Sequence, residues 1–239
     1  MQKVYFADWG NIEYGEAWDR QEVLLKQGVE AKSKWYSTPE ADRPETTGTV
    51  SHLFFCEHPH VYTLGKSGHI DNLLVNEQQL KEMNVSFYKT NRGGDITYHG
   101  PGQVVGYPVL DLEHFFTDLG KYMRSLEEVI IITLAQYGIE AGRLEGATGV
   151  WLDAGIKGRE RKICAMGVKC SRWMTMHGFA LNVNTNMSFF SSIVPCGIND
   201  KMVTSIEQEL GQKVDIQEVK DKLKEAFGRV FMAEVLQLD

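Results

Sequence analysis

Side chains able to do chemistry concentrate in a few short segments. Ile193-Val194-Pro195-Cys196-Gly197-Ile198 wedges a thiol between Pro and Gly after the polar run Ser188 to Ser192. A cysteine used only as a small hydrophobe belongs inside an apolar strand, so placement in a loop predicts exposure and reactivity for Cys196. A free thiol with a pKa of about 8.5 is only weakly ionised near neutral pH, and a nucleophile therefore needs a base or cation beside it. His177, His99, Lys162 and Lys169 are the available partners, and histidine is the default because it titrates near neutrality. Lys162 is the less usual choice. Lys162-Ile163-Cys164-Ala165-Met166-Gly167-Val168 reads as a strand, and a lysine forced inward from it loses solvation, drops in pKa and becomes a proton acceptor. Pointing outward, it is an ordinary surface lysine of a basic hairpin.

The densest unusual segment is Arg92-Gly93-Gly94-Asp95-Ile96-Thr97-Tyr98-His99-Gly100-Pro101-Gly102-Gln103. Glycine at this density costs backbone entropy. Either two tight turns join three strands here, or the glycines let a ligand approach backbone N–H groups. The segment lacks the Gly-Lys-[Ser/Thr] ending of a phosphate loop and the spacing of a dinucleotide fingerprint. His52 and Cys56 share a strand face by even spacing, but the Pro59 turn sends His58 and His60 elsewhere, so no metal site is expected. From Lys157 to Arg172 the run Lys157, Arg159, Arg161, Lys162, Lys169, Arg172 faces one acid, Glu160, and is either a solvated hairpin or a docking face for an acidic partner.

These residues must be held by a folded scaffold, and the chain supplies one. Its 239 residues are 43% hydrophobic and 24% charged, which excludes a disordered tail, a fibre or a disulfide miniprotein. The four cysteines show no paired short spacing. A net charge of −7 argues against nucleic acid as a partner. No apolar run reaches membrane-spanning length and the opening residues lack a signal-peptide block, so the expectation is a cytoplasmic chain with no membrane partner. Short β-branched and aromatic runs predict strands over residues 50–57, 61–64, 85–90, 95–98, 103–110, 148–152, 162–168 and 174–183, the first two meeting at the Pro59 turn. Tyr122, Leu126, Val129, Ile130, Leu134 and Tyr137, stopping at Gly138, predict an amphipathic helix. A helix is expected over 14–26, and capping boxes at Thr204 to Glu207 and Asp215 to Glu218 open a helical C-terminal part from about residue 203. Strands clustered between helices, without strict βαβ alternation, indicate an α+β fold in a single domain, residues 1–239, with a mixed sheet flanked by helices.

Taken in order, Val61-Tyr62-Thr63-Leu64-Gly65, Arg92-Gly93-Gly94-x-x-Thr97-Tyr98-His99-Gly100-Pro101-Gly102-Gln103, Tyr107-Pro108, Lys162-Ile163-x-Ala165-x-Gly167-Val168, His177-Gly178-x-Ala180-Leu181-Asn182 and Pro195-Cys196-Gly197-Ile198 resemble the octanoyltransferases of the lipoate biosynthesis protein B type. The resemblance implies the catalytic-domain fold shared with lipoate and biotin protein ligases. It also implies a cofactorless, metal-free acyl transfer, the first step of endogenous protein lipoylation. The octanoyl or lipoyl group would pass from acyl carrier protein, through a cysteine thioester, to a lysine of lipoyl domains of 2-oxoacid dehydrogenase complexes and of glycine cleavage H protein. The family cysteine falls on Cys196 and its lysine on Lys162, which would take the thiol proton or stabilise the thiolate. Acyl contacts map to Arg92, Gly93, Gly94, Asp95, Ile96, Thr97, Tyr98 and His99, to Ala165, Met166 and Gly167, and to Gly178, Phe179 and Ala180. Tyr98, Met166 and Phe179 are the candidates to line an apolar channel, and backbone N–H groups around Gly167 and the Gly93-Gly94 turn are the candidate oxyanion donors. Two rival readings are an ATP-dependent lipoate ligase, which needs no cysteine nucleophile, and a non-catalytic acyl-binding protein.

Overall fold

The computed structural model describes residues 1–194 and 202–238. In chain order its main elements are β1 (Gln2–Asn11), α1 (Tyr14–Ser37), β2 (Ser51–Glu57), β3 (Val61–Leu64), α2 (Glu77–Glu82), β4 (Ser86–Lys89), β5 (Ile96–His99), β6 (Gln103–Val109), α3 (Leu119–Ala135), β7 (Gly142–Leu144), β8 (Ala147–Leu152), β9 (Arg161–Ser171), β10 (Met174–Asn182), β11 (Met202–Val203), α4 (Ile206–Leu210), α5 (Ile216–Phe231) and β12 (Ala233–Gln237). Among the described residues, a large sheet runs β12-β1-β2-β6-β10-β9-β8-β7, with β11 joining β9, and β4-β3-β5 make a small second sheet. β1 is parallel to β12 and β2, whereas β2, β6, β10, β9 and β8 pair antiparallel in turn. This is the α+β class with a mixed sheet flanked by helices.

Period-two alternation decides which face each central residue serves. Leu53, Phe55, Val104, Phe179 and Leu181 enter the main core with Leu126, Ile130 and Leu134 of α3 and Leu223 and Phe227 of α5. Phe54, Cys56, Val105, Tyr107 and Ala180 turn to the opposite face, where Ala17 of α1 covers them. Strand β6, buried on both faces, is apolar or aromatic at most of its positions, as a strand between two helical layers must be. Gly28 lets α1 come close, since a Cβ there would lie 2.4 Å from the Met174 methyl. The far end of α1 is anchored by the buried Lys32, whose Nζ donates to Asp111 Oδ1 at 2.6 Å.

β2 and β3 meet at the turn at His58 to His60 as the sequence predicts, and that turn carries the chain from the large sheet into the small one, where β3 pairs β4 and β5. Several local expectations are corrected. Helix α1 continues past Lys26 to Ser37, because Gly28 and Lys32 extend its buried face. The part from residue 203 is not wholly helical, since β12 ends it at the sheet edge beside β1. Thr204 is not the cap of α4; its hydroxyl bonds Glu209, and Ser205 caps by accepting from Gln208 N–H. Asp215 does cap α5, accepting from the Gln217 N–H. The basic run is spread over β9, which carries Arg161, Lys162 and Lys169, and over its flanks, with Lys157 and Arg159 before it and Arg172 after it. Arg161 is tied to Asp153 and Glu209 at one end, and Lys169 to Glu22 at the other.

Candidate active site

A cavity of about 540 Å³ opens where β9 and β10 meet the Arg92 to Gly94 turn, the end of the small sheet and the start of α3. That volume is in the range of pockets that enclose a small ligand. Its wall includes Lys162, Ala165, Met166 and Gly167 of β9, Gly178, Phe179 and Ala180 of β10, and Arg92, Gly93, Gly94, Asp95, Ile96, Thr97 and His99. Segments 70 residues apart in sequence thus share one wall. Tyr98 is not on that wall. It stacks on Phe189 at 5.0 Å, packs edge-on to Phe190 and hydrogen-bonds His60 Nδ1 at 2.7 Å, so the channel role expected of it does not fit its orientation.

Lys162 lies at a junction of three strands. It pairs with Trp151 of β8 on one side and with Val203 of β11 on the other. Its Nζ sits 4.6 Å from the centroid of the Trp151 ring, within cation–π range of the indole face. Its stem crosses Gly149, where a Cβ would lie 3.6 Å from both Cδ and Cε of Lys162. Cys164, two residues along β9, is fully buried in the main core, and burial pushes its thiol pKa up. Cys196, the candidate nucleophile, lies outside the described residues.

The glycine-rich turn is clamped to β9. Gly93 N–H donates to Val168 O at 2.9 Å, which withdraws it from the oxyanion role expected of that turn. A Cβ on Gly167 would stand 2.5 Å from Gly93 O, so glycine at 167 is what lets the turn reach the strand. Gly94 has φ +85°, a conformation open to glycine. The buried Arg92 reaches across to the small sheet and donates from Nη2 to Thr63 O at 2.6 Å and to Thr63 Oγ1 at 2.9 Å. One guanidinium therefore joins the turn to β3.

Two histidines on the wall are held neutral. Gln103 donates its amide to Tyr98 O and to Asn182 Oδ1, leaving its Oε1 to accept from His99 Nδ1 at 2.8 Å. Burial, then the neighbouring His58 and Arg92 charges, press the His99 pKa well below its ordinary value. Asn91 donates to Glu22, so its Oδ1 accepts from His177 Nε2–H at 2.7 Å, and the Nδ1 of His177 is the unprotonated nitrogen. Burial first, and then Arg92 and Lys169, push His177 down to about 3. His177 also has φ +59°, strained for a non-glycine residue, and its N–H goes to Gln21 Oε1 at 2.8 Å. Along β9, His177 pairs with Val168, six positions from Lys162. At about 3.3 Å per strand residue the two occupy different ends of the cavity, so one thiol beside Lys162 would lie far from His177.

Sequence reasoning passed over Trp151, Tyr14, Leu119 and Met123, which also line the cavity. Trp151 carried a usable signal, being the aromatic of a short strand, but its register against Lys162 is a tertiary fact. Tyr14 stacks on His99 with centroids 5.7 Å apart, and burial raises its pKa to about 12. His58 is buried between Ile12 O and the Tyr107 hydroxyl, each at 2.7 Å, and is pushed by burial to about 4.

The site is thus a mixed but largely apolar pocket with a lysine at a strand junction and a clamped glycine turn, a shape that suits a ligand with an apolar tail and a polar head. Comparison with solved structures agrees on the fold: a bipartite lipoate protein ligase from Thermoplasma acidophilum superposes with a TM-score of 0.69 at 16% identity, covering 100% of this chain and 88% of that one. Residues 13–228 match the model of the lipoyl protein ligase A/B catalytic domain. An octanoyltransferase of Flavobacterium johnsoniae is 56% identical over 98% of this chain and 99% of its own length, and one of Christiangramia forsetii is 54% identical over 98% of each. The chain belongs to the octanoyltransferases of the lipoyl protein ligase A/B catalytic-domain family, and is an acyltransferase.

Proposed function

We propose that residues 1–239 act as one cytoplasmic catalytic domain that moves an octanoyl group from acyl carrier protein to a lysine of a lipoyl domain through a thioester on Cys196. The observation that carries this reading is the position of Lys162 on the wall of a cavity whose other walls are the glycine turn and the β10 segment Gly178 to Ala180. Val203, seven residues beyond Cys196 in sequence, pairs with Lys162, which supports their working together. Lys162 takes the Cys196 thiol proton, or holds the thiolate as its counter-ion, and the sulfur attacks the carrier-bound thioester carbonyl. The tetrahedral adduct expels the carrier thiolate, which takes its proton from the Lys162 ammonium, and the acyl group is left on Cys196 beside a neutral Lys162. A neutral lysine amine of the lipoyl domain then attacks that thioester, Lys162 accepts the proton the amine loses, and the Cys196 thiolate leaves. The acyl group arrives already activated as a thioester, so the chemistry needs neither nucleotide nor metal.

The acyl chain is held by Met166, Phe179 and Ala180, on strands that Gly167 and Gly178 let pack closely against the Gly93 turn and β6. No described helix is long and apolar enough to cross a membrane, in keeping with soluble protein donors and acceptors.

Intact mass of the protein mixed with octanoyl-acyl carrier protein, without ATP, tests the reading. A hydroxylamine-labile octanoyl adduct mapped to Cys196, absent in Cys196→Ser, is the expected result. Acylation that appears only with ATP and free acid would replace it with the ligase reading.

A further inference from the structure

We propose that Glu127, on α3 outside the cavity wall, is a positioning residue for Lys162, acting through the backbone of Gly149. This inference rests on the role given to Lys162 above. Glu127 is fully buried, unusual for a carboxylate. One oxygen, Oε1, accepts the Gly149 N–H at 3.1 Å. The other, Oε2, meets Arg124 at 2.9 Å and Arg143 at 3.0 Å.

At Gly149, β8 lies close against β9. It has φ +113°, and a Cβ there would stand 2.5 Å from Cys164 O and 3.6 Å from the Lys162 stem. Immediately afterwards the β8 to β9 register shifts, between Val150 and Trp151. The shift sets Trp151 opposite Lys162, with its ring under the ammonium. The backbone of Gly149 therefore bears on two contacts of the lysine: the surface its stem crosses and the strand carrying the ring below its head. Glu127 ties that backbone to α3 by a hydrogen bond. The two arginines supply the countercharge that lets a buried carboxylate serve as the tie. Both are substantially exposed, at 47% for Arg124 and 35% for Arg143, so they can turn to water if the charge is removed.

Three substitutions separate the acceptor from the charge. Glu127→Gln keeps an oxygen for Gly149 and loses the charge. Glu127→Asp keeps the charge but retracts it from Gly149 by one methylene. Glu127→Leu keeps volume and loses both. Steady-state transfer from octanoyl-acyl carrier protein to a lipoyl domain is measured beside thermal melts, with rates expressed per folded enzyme. The expected result is a kcat about 10- to 100-fold down for Asp and Leu, with KM for the donor within about twofold, and Gln within about threefold of wild type, in line with the cost of displacing a reacting group by a fraction of an ångström to 1 Å. If Leu fails to fold, the Asp and Gln pair carries the same prediction. Unchanged kcat per folded enzyme in Asp would overturn the proposal and leave Glu127 a purely structural group. Gln as slow as Asp would overturn it too, because charge rather than the Gly149 hydrogen bond would then matter. Lys162→Ala is run alongside: wild-type kcat there refutes the role of Lys162 itself, whereas a dead Lys162→Ala with a fully active Glu127→Asp refutes only the link through Gly149.

Discussion

Replacing Gly167 by Ala tests how tightly the glycine-rich turn is set against β9. Gly167 lies outside the left-handed φ region, so alanine meets no backbone penalty and the cost is steric alone. The new methyl would stand 2.5 Å from Gly93 O and 3.4 Å from Cδ and Nη1 of Arg92. The first of these is a backbone atom whose own N–H is bonded to Val168 O at 2.9 Å, so it cannot swing aside as a side-chain end would. Relief requires the turn to back away by several tenths of an ångström, stretching that hydrogen bond and the Arg92 to Thr63 bonds behind it. Overpacking of this kind costs about 1–3 kcal/mol, and the stiffer unfolded chain returns about 0.4–1 kcal/mol. The net expectation is a loss of about 1–2 kcal/mol, or roughly 2–8 °C in melting temperature for a chain of this size. Gly142→Ala is the internal control, since nothing lies within 4 Å of its Cβ position and its φ is ordinary. The assay pairs urea unfolding with KM for the octanoyl donor, which should rise as the turn moves off the cavity wall. If Gly167→Ala unfolds at the same urea concentration as Gly142→Ala and keeps its KM, the close turn-to-strand contact does not constrain the site.

Stability should fall on mild acidification. His58 and His177 are pushed down to about 4 and about 3, and His99 well below its ordinary value, all by burial first. The unfolded chain takes up these protons near pH 6.5 while the folded chain refuses them, so the contribution is intact above about pH 6.5 and is lost as pH falls toward 4, at up to about 1.4 kcal/mol per pH unit per histidine; a urea midpoint flat from pH 7.5 to 5 would contradict this. Cys56 and Cys164 are fully buried and Cys170 is half-buried, so iodoacetamide on the native protein should modify Cys170 long before either of the other two, as read by peptide mapping. Lys32→Met strands Asp111, fully buried, without its ammonium partner; the expected loss is about 3–5 kcal/mol, and a urea midpoint within error of wild type would show the pair to be dispensable.

The strands that build the cavity and the sheets behind it were largely legible. Ser51–Glu57, Val61–Leu64, Ile96–His99, Gln103–Val109, Arg161–Ser171 and Met174–Asn182 are apolar runs closed by glycine, proline or polar turns, and these signals are local. The edge strands β1 and β12 were not, because parallel neighbours from opposite ends of the chain leave no hairpin turn between them, and only Val4 and Phe6 of β1 point firmly inward. Tyr98 shows a related limit. Its motif was clear, but alternation in a four-residue strand does not say which face meets the cavity, and the aromatic cluster with Tyr62 and Phe189 claimed it. The basic stretch 157–172 reads as one patch in one dimension and becomes two separated ion-paired ends once β9 is extended.

By itself the sequence determined the fold class, the ordered motifs, the family they resemble and the two residue types, a cysteine and a lysine, on which acyl transfer would turn. The fold class and the motifs follow from local composition and spacing, which a linear chain carries whole, whereas the roles of the cysteine and the lysine are what the resemblance implies. Only the tertiary structure decided that Lys162 rests on Trp151, that Gly93 spends its N–H on Val168 while Gly167 makes room for the turn, and that Glu127 holds Gly149 from outside the pocket. Each is a contact between segments whose separation along the chain bears no relation to their distance in space. Register, close backbone approach and buried charge pairing are properties of the packed molecule, since they are settled by which surfaces must exclude water together.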